Sequence, residues 1–101
     1  MAEIIWSDYA KESLKETLIF LEEQWGHEIK DYVINLIDHR LAQVVKNPNL
    51  APPLGNTIFR KLLIHRNLTL YYTTNKEAIK VVLVWDNRQD SDELETLLLR
   101  A

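Results

Sequence analysis

The chain has 101 residues, 47% of them hydrophobic and 27% charged, and a net charge of −3. That composition describes one ordinary globular domain spanning residues 1–101, able to bury roughly 60–65% of its unfolded surface. Zero cysteines and two glycines exclude disulfides, thiol nucleophiles, thiolate zinc sites, a P-loop and a dinucleotide fingerprint.

Glu3 to Trp6 is β-prone through Ile4, Ile5 and Trp6, and predicts a short opening strand. Ser7 is a good helix N-cap, and Asp8 and Glu12 follow where the helix dipole favours acids. Leu14, Leu18, Leu21 and Trp25 then recur at helical spacing as the apolar face of a first helix. Gly26 is placed to end that helix in the left-handed conformation. Ile29, Val33, Leu36, Ile37, Leu41, Val44 and Val45 define a second helix, which Asn47-Pro48 closes because the residue before proline avoids helical geometry. Two helices joined at a glycine form a hairpin whose inner face needs a sheet to cover it.

Residues 48–56 are a proline-bearing loop, after which the period changes from 3.6 to 2. Three strands are predicted over Thr57–Ile64, Leu68–Thr73 and Ala78–Trp85, joined by connections short enough for an antiparallel meander. Ile79, Val81, Val82, Leu83 and Val84 are so continuously apolar that the last strand should be central and covered on both faces. Asp90 and Glu93 resemble a capping box for a final helix bearing Leu94, Leu97 and Leu98. The expected fold is α+β, a helical hairpin packed on an antiparallel sheet in the order β-α-α-β-β-β-α.

Charge is segregated along this chain. From His39 to Lys76 there is no Asp or Glu, while Arg40, Lys46, Arg60, Lys61, Arg66 and Lys76 all fall there. One part of the surface should therefore be positive enough to attract a polyanion or an acidic peptide. Arg60 and Lys61 sit among apolar neighbours in a strand, where a charge is costly unless paired or delivered to a rim. His65 and Arg66 fall in a predicted hairpin turn. Tyr71 shares the more polar strand face with Thr69 and Thr73, whereas Tyr72 shares the apolar face with Leu68 and Leu70. Tyr71 is thus the groove candidate and Tyr72 the core residue. Arg88 follows the central strand directly and either projects into a cleft or pairs with Asp86 or Asp90.

Other chemistry finds no footing. Ser7, Ser13 and Ser91 occupy no nucleophile-elbow setting, and His27, His39 and His65 lack ligand spacing, so neither a metal nor a cofactor is expected. No apolar run reaches membrane-spanning length and Met1-Ala2-Glu3 has no signal-peptide character, which predicts a cytoplasmic protein.

Several features occur together: Ser7 and Ala10 after the opening strand, Trp25-Gly26, Lys46-Asn47-Pro48, the Arg60 strand, Leu70-Tyr71-Tyr72, and Trp85-Asp86-Asn87-Arg88-Gln89. In that order and spacing the chain resembles the RelE/ParE superfamily, the toxins of type II toxin–antitoxin (plasmid stabilization) modules. The resemblance covers nearly the whole chain. It implies a cognate antitoxin as partner and leaves a homodimer open. It also implies one of two mechanisms. RelE-like members are ribosome-dependent mRNA endonucleases, and on that reading Arg60 and Arg88 would stabilise the phosphorane while Lys61 holds the backbone and Tyr71 positions a base. ParE-like members bind and poison DNA gyrase without covalent chemistry. RelE-like nucleases typically carry a Tyr, or a His and Tyr, in or after the last strand; here nothing beyond Tyr72 is either. That departure and the net negative charge favour the ParE-like reading, or an inactive relative that only binds an antitoxin. Arg60, Lys61, His65, Arg66, Tyr71 and Arg88 are then the expected target- or antitoxin-binding residues.

Overall fold

In the computed structural model, which describes residues 3–88 and 91–100, the first strand β1 runs Glu3–Trp6. Ser7 caps helix α1 (Asp8–Trp25), its Oγ accepting the Ala10 N–H at 3.0 Å. Gly26 then turns the chain into α2 (His27–Lys46). Its φ is +94° but its ψ is 176°, so it lies in extended glycine-only territory rather than in the expected left-handed helical region. A Cβ there would touch nothing within 4 Å, so the requirement for glycine is conformational and not steric. Asn47 closes α2, its N–H donating to Gln43 O at 3.0 Å.

The sheet strands are β2 (Arg60–His65), β3 (Leu68–Thr74) and β4 (Ala78–Asp86), followed by α3 (Ser91–Arg100). The order across the sheet is β1-β4-β3-β2. The meander is antiparallel as expected, but β1 joins β4 in parallel, with Ile4 beside Ile79 and Ile5 beside Lys80. The sheet is therefore mixed, because the helical hairpin carries the chain back across the sheet before β2 begins. The Asp90–Glu93 capping box lies outside the described residues.

β2 starts three residues later than its apolar pattern suggested. Thr57 to Phe59 are held in a tight turn instead, with Thr57 N–H and Oγ1 both donating to Leu54 O (3.1 and 2.7 Å). Phe59 N–H in turn donates to Thr57 Oγ1 at 3.2 Å. The local hydroxyl bonds compete with the strand and win. The outer edge of β2 is then occupied: Pro53 bridges Arg60, Lys61 N–H donates to Pro52 O, and Arg40 Nε donates to Leu63 O at 3.2 Å.

Two apolar layers hold the sheet. On one face Ala10 of α1 and Val33, Ile37, Leu41 and Val44 of α2 pack against Leu62, Ile64, Leu70, Tyr72, Ile79, Val81 and Val84. On the other, Tyr71, Val82, Leu83 and Trp85 pack with Leu94, Leu97 and Leu98 of α3 and with Leu54 and Phe59 of the loop. β4 is thus covered on both faces, as its continuous apolar run required. A bulge makes that layering uneven. Tyr71 pairs with Leu83 but Tyr72 with Val81, so Val82 is the extra residue and joins Leu83 on the α3 side. Ser13 Oγ of α1 accepts the Val84 N–H at 3.1 Å and ties the helix to the bulged strand.

Candidate binding groove

α1 and α2 are 18 and 20 residues long, and their joined end leaves large apolar side chains unburied. Trp25 is 65% exposed and Tyr32 54%, with Tyr9, Phe20 and Ile29 also on the surface. Trp25 and Ile29 belong to the apolar stripes read as core, so the stripes continue past the point where the sheet can cover them. All five residues line one groove of about 770 Å³, which also takes in Ser13, Thr17, Val33 and Leu68. Across it stand His65 at the end of β2, Arg66 and Asn67 of the β2–β3 turn, Asp86 and Arg88 at the end of β4, and Leu97 of α3.

The strand-end wall is built by Thr69 and Asn87, neither of which the sequence marked as a site residue. Thr69, fully buried, donates its hydroxyl to Asn87 Oδ1 at 2.8 Å. Asn87 N–H donates to Asn67 O at 2.8 Å and its Nδ2 to Arg66 O at 3.4 Å. One asparagine therefore fastens the β2–β3 turn to the end of β4, and the positions of His65 and Arg66 depend on it. Asn87 has an ordinary loop-residue signature, so only its partners reveal this role.

Arg88 pairs with Asp86, which decides between the two readings of that residue. Its Nε and Nη2 fork onto the carboxylate at 3.0 and 2.6 Å, and Asp86 Oδ1 also accepts the Arg88 N–H at 2.9 Å. The guanidinium hydrogen bonds hold the Asp86 carboxyl below the usual carboxylate range, and Asp86 raises the Arg88 guanidinium. The Arg88 guanidinium also lies 5.8 Å from the centroid of the Phe20 ring, linking β4 to α1 across the groove.

Three of the expected site residues are elsewhere. Tyr71 is 1% exposed inside the α3 layer, and burial raises its phenol pKa. It is not a groove residue: α3 and the loop cover the strand face that looked polar in sequence. Arg60 is half-buried, and its Nη1 donates to Ala51 O at 2.6 Å. The charge in the strand is thus relieved by fastening the proline loop rather than by reaching a rim. Tyr72 belongs to the core as expected, and its hydroxyl donates to Pro48 O at 3.0 Å and accepts the Ala51 N–H at 3.4 Å. Lys61 is exposed beside Leu63, away from the groove lining. Of the six residues expected to bind a target or antitoxin, His65, Arg66 and Arg88 are brought together; Arg60, Lys61 and Tyr71 are not.

Among the described residues no group of three or more His, Asp or Glu side chains stands where it could hold a metal ion. No helix of the described residues is long and apolar enough to cross a membrane. What the groove offers is a large aromatic surface with charges of both signs at its margins, a geometry for gripping a polypeptide.

No protein-family model matches the chain. No curated protein matches it at a significant level. Solved structures do match. A chain of the chromosomal ParDE TA system from P. aeruginosa is similar with a TM-score of 0.72 at 16% identity, covering 85% of this chain and 96% of that one. The YoeB dimer from Staphylococcus aureus matches with a TM-score of 0.61 at 18% identity, over 83% of this chain and 94% of that one. A chain of the E. coli DinJ-YafQ toxin-antitoxin complex matches with a TM-score of 0.57 at 12% identity, over 86% and 93% respectively. At these identities the likeness is one of fold: the chain has the RelE/ParE-like toxin fold.

Proposed function

We propose that this chain is the toxin of a type II toxin–antitoxin (plasmid stabilization) pair, working in the cytoplasm. It is ParE-like in that it arrests growth by binding a protein target rather than by cutting RNA. The fold supports the toxin reading. The observation that carries the mechanism is the groove, where five large apolar side chains of the helical hairpin stand exposed against the strand ends. Such a surface serves protein association, in which buried aromatic anchors dominate affinity.

A nuclease on this fold would need a cation over the developing phosphorane with proton-transfer groups beside it. The residues expected for that task are separated and engaged. Arg60 holds Ala51, Arg88 holds Asp86, and the Tyr71 phenol is buried on the opposite face. We infer DNA gyrase as the target and a neighbouring antitoxin as the neutralising partner. Pulse-labelling of DNA, RNA and protein synthesis within minutes of inducing this chain alone tests the reading. DNA synthesis should fall first, and purified chain should inhibit supercoiling by gyrase. An early fall in protein synthesis would replace this reading with a ribosome-dependent endonuclease. No change in any of the three would leave an inactive relative that only binds an antitoxin.

A further inference from the structure

The two edges of the sheet are unlike. The outer edge of β2 is taken up by Pro52, Pro53 and Arg40, whereas β1 is an edge strand with only β4 beside it. Glu3 and Ser7 donate their N–H groups to Glu77 O and Val81 O, which fixes the phase of β1. Residues 3, 5 and 7 therefore turn their backbone groups toward β4, and Ile4 and Trp6 turn theirs outward. Among the described residues nothing bonds to the outward N–H groups and carbonyls. The side chains of this edge are uncovered as well. Ile5 is 43% exposed on the α3 side of the sheet, and Ile4 and Trp6 are only half-buried on the helical side.

We propose that this edge pairs with the same edge of a second copy of the chain, antiparallel and centred on Ile5. In that register Ile4 lies opposite Trp6 of the second copy, and the two residues exchange both N–H···O bonds. Every outward N–H and carbonyl of both copies is then used, with none left over. Ile5 faces Ile5 of the second copy in a non-hydrogen-bonded pair, where the Cα atoms approach to about 4.5 Å. Glu3 lies opposite Ser7, so no like charges stand face to face. The edge matches itself, which is what a two-fold axis requires.

That axis stands perpendicular to the sheet, so both helical hairpins lie on one face and both α3 helices on the other. α1 rides over β4, to which Ser13 and Val84 tie it. The two β4 strands are three strand spacings apart, about 14 Å. Packed helices need about 8–10 Å, so the two copies of α1 clear one another. Each end of the joined sheet is a β2 edge that is already occupied, and the assembly ends at two copies. The groove takes no residue of β1, so this inference stands whatever the groove binds.

Sedimentation equilibrium of the full chain should show a monomer–dimer equilibrium. Ile5→Lys sets like charges opposite each other at the axis and should raise the dimer dissociation constant at least about tenfold. Circular dichroism confirms that this exposed substitution leaves the fold unchanged. Register is tested by disulfide trapping, since the chain has no cysteine of its own. Ile5→Cys brings two thiols within bonding range across the axis, and under a mild oxidant it should cross-link at least about tenfold faster than Glu3→Cys. Glu3 is exposed too, but it faces Ser7 rather than itself. A chain that stays monomeric at every concentration would overturn the proposal. So would a dimer indifferent to Ile5→Lys, or equal cross-linking at the two positions.

Discussion

The proline loop between α2 and β2 and the tip of the helical hairpin are both irregular junctions, yet they spend their side chains in opposite ways. The loop turns its polar groups inward. Arg60 and the Tyr72 hydroxyl converge on Pro48 and Ala51, so its carbonyls and amides are satisfied from within the fold. The hairpin tip turns its apolar groups outward, with Trp25 and Tyr32 more than half exposed, and its Lys30 and Glu22 pair with each other across the two helices. Apolar surface left uncovered is surface available to a partner, whereas a charge satisfied internally is not. The basic residue with the strongest functional look in sequence thus fastens the proline loop, and Trp25 and Ile29, which keep the spacing of core residues, stand exposed in the groove.

The sharpest way to break this contrast is at the tyrosine that sequence assigned to the surface. Tyr71→Ala should destabilise the chain by about 3–5 kcal/mol, because a buried aromatic leaves a cavity; urea denaturation measures it. A loss under 1 kcal/mol would mean that Tyr71 is not packed beneath α3. Arg60→Met leaves the Ala51 carbonyl without its donor and should cost about 1–3 kcal/mol, with gyrase inhibition by the folded chain unchanged. Weakened inhibition at unaltered stability would return Arg60 to the binding surface. Gly26→Ala forces a side chain into backbone geometry that L-residues resist and should cost about 1–3 kcal/mol in the same assay.

Arg88 sharpens the comparison through pH. The folded-state pKa of Asp86 is depressed by Arg88, so the pair's stabilisation is present in full above the ordinary carboxylate pKa. It is lost as pH falls through the lowered folded value. Urea midpoints of the unaltered chain and Arg88→Met should differ at pH 7 and converge toward pH 2. A gap that persists in acid would mean that Arg88 acts through Phe20 rather than through Asp86. The smallest effect on stability is expected at the tip. Trp25→Ser with Tyr32→Ser should shift the unfolding free energy by no more than about 0.5 kcal/mol while abolishing growth arrest. Retained arrest would remove the tip from the interface.

Periodicity made the helices and meander legible because it reports which face of an element is apolar. It also exposed β4 as the doubly covered strand. It misjudged extent at two places. Thr57 to Phe59 have strand-like composition, but the Thr57 hydroxyl closes a turn that no pattern of apolar residues encodes. Trp25 and Ile29 keep helical spacing, but spacing does not say where the covering sheet stops. Tyr71 was misplaced for a related reason: its strand face is polar at Thr69 and Thr73, and only the docking of α3 makes it interior. Charge identity was equally ambiguous, since Arg88 read either as projecting into a cleft or as pairing with a nearby acid until its fork onto Asp86 is seen.

The covered edge of β2 has a consequence for how the molecule behaves in a crowded cell. A free strand edge is a template on which further strands, including those of identical chains, can stack into fibrils. Here Pro53 carries no N–H to offer, the Lys61 N–H is taken by Pro52, and the Leu63 carbonyl is taken by Arg40. Polymerisation by strand addition is thereby blocked on the β2 side. A chain with an aromatic surface open to solvent is thus kept from strand addition along that edge by two prolines and one arginine.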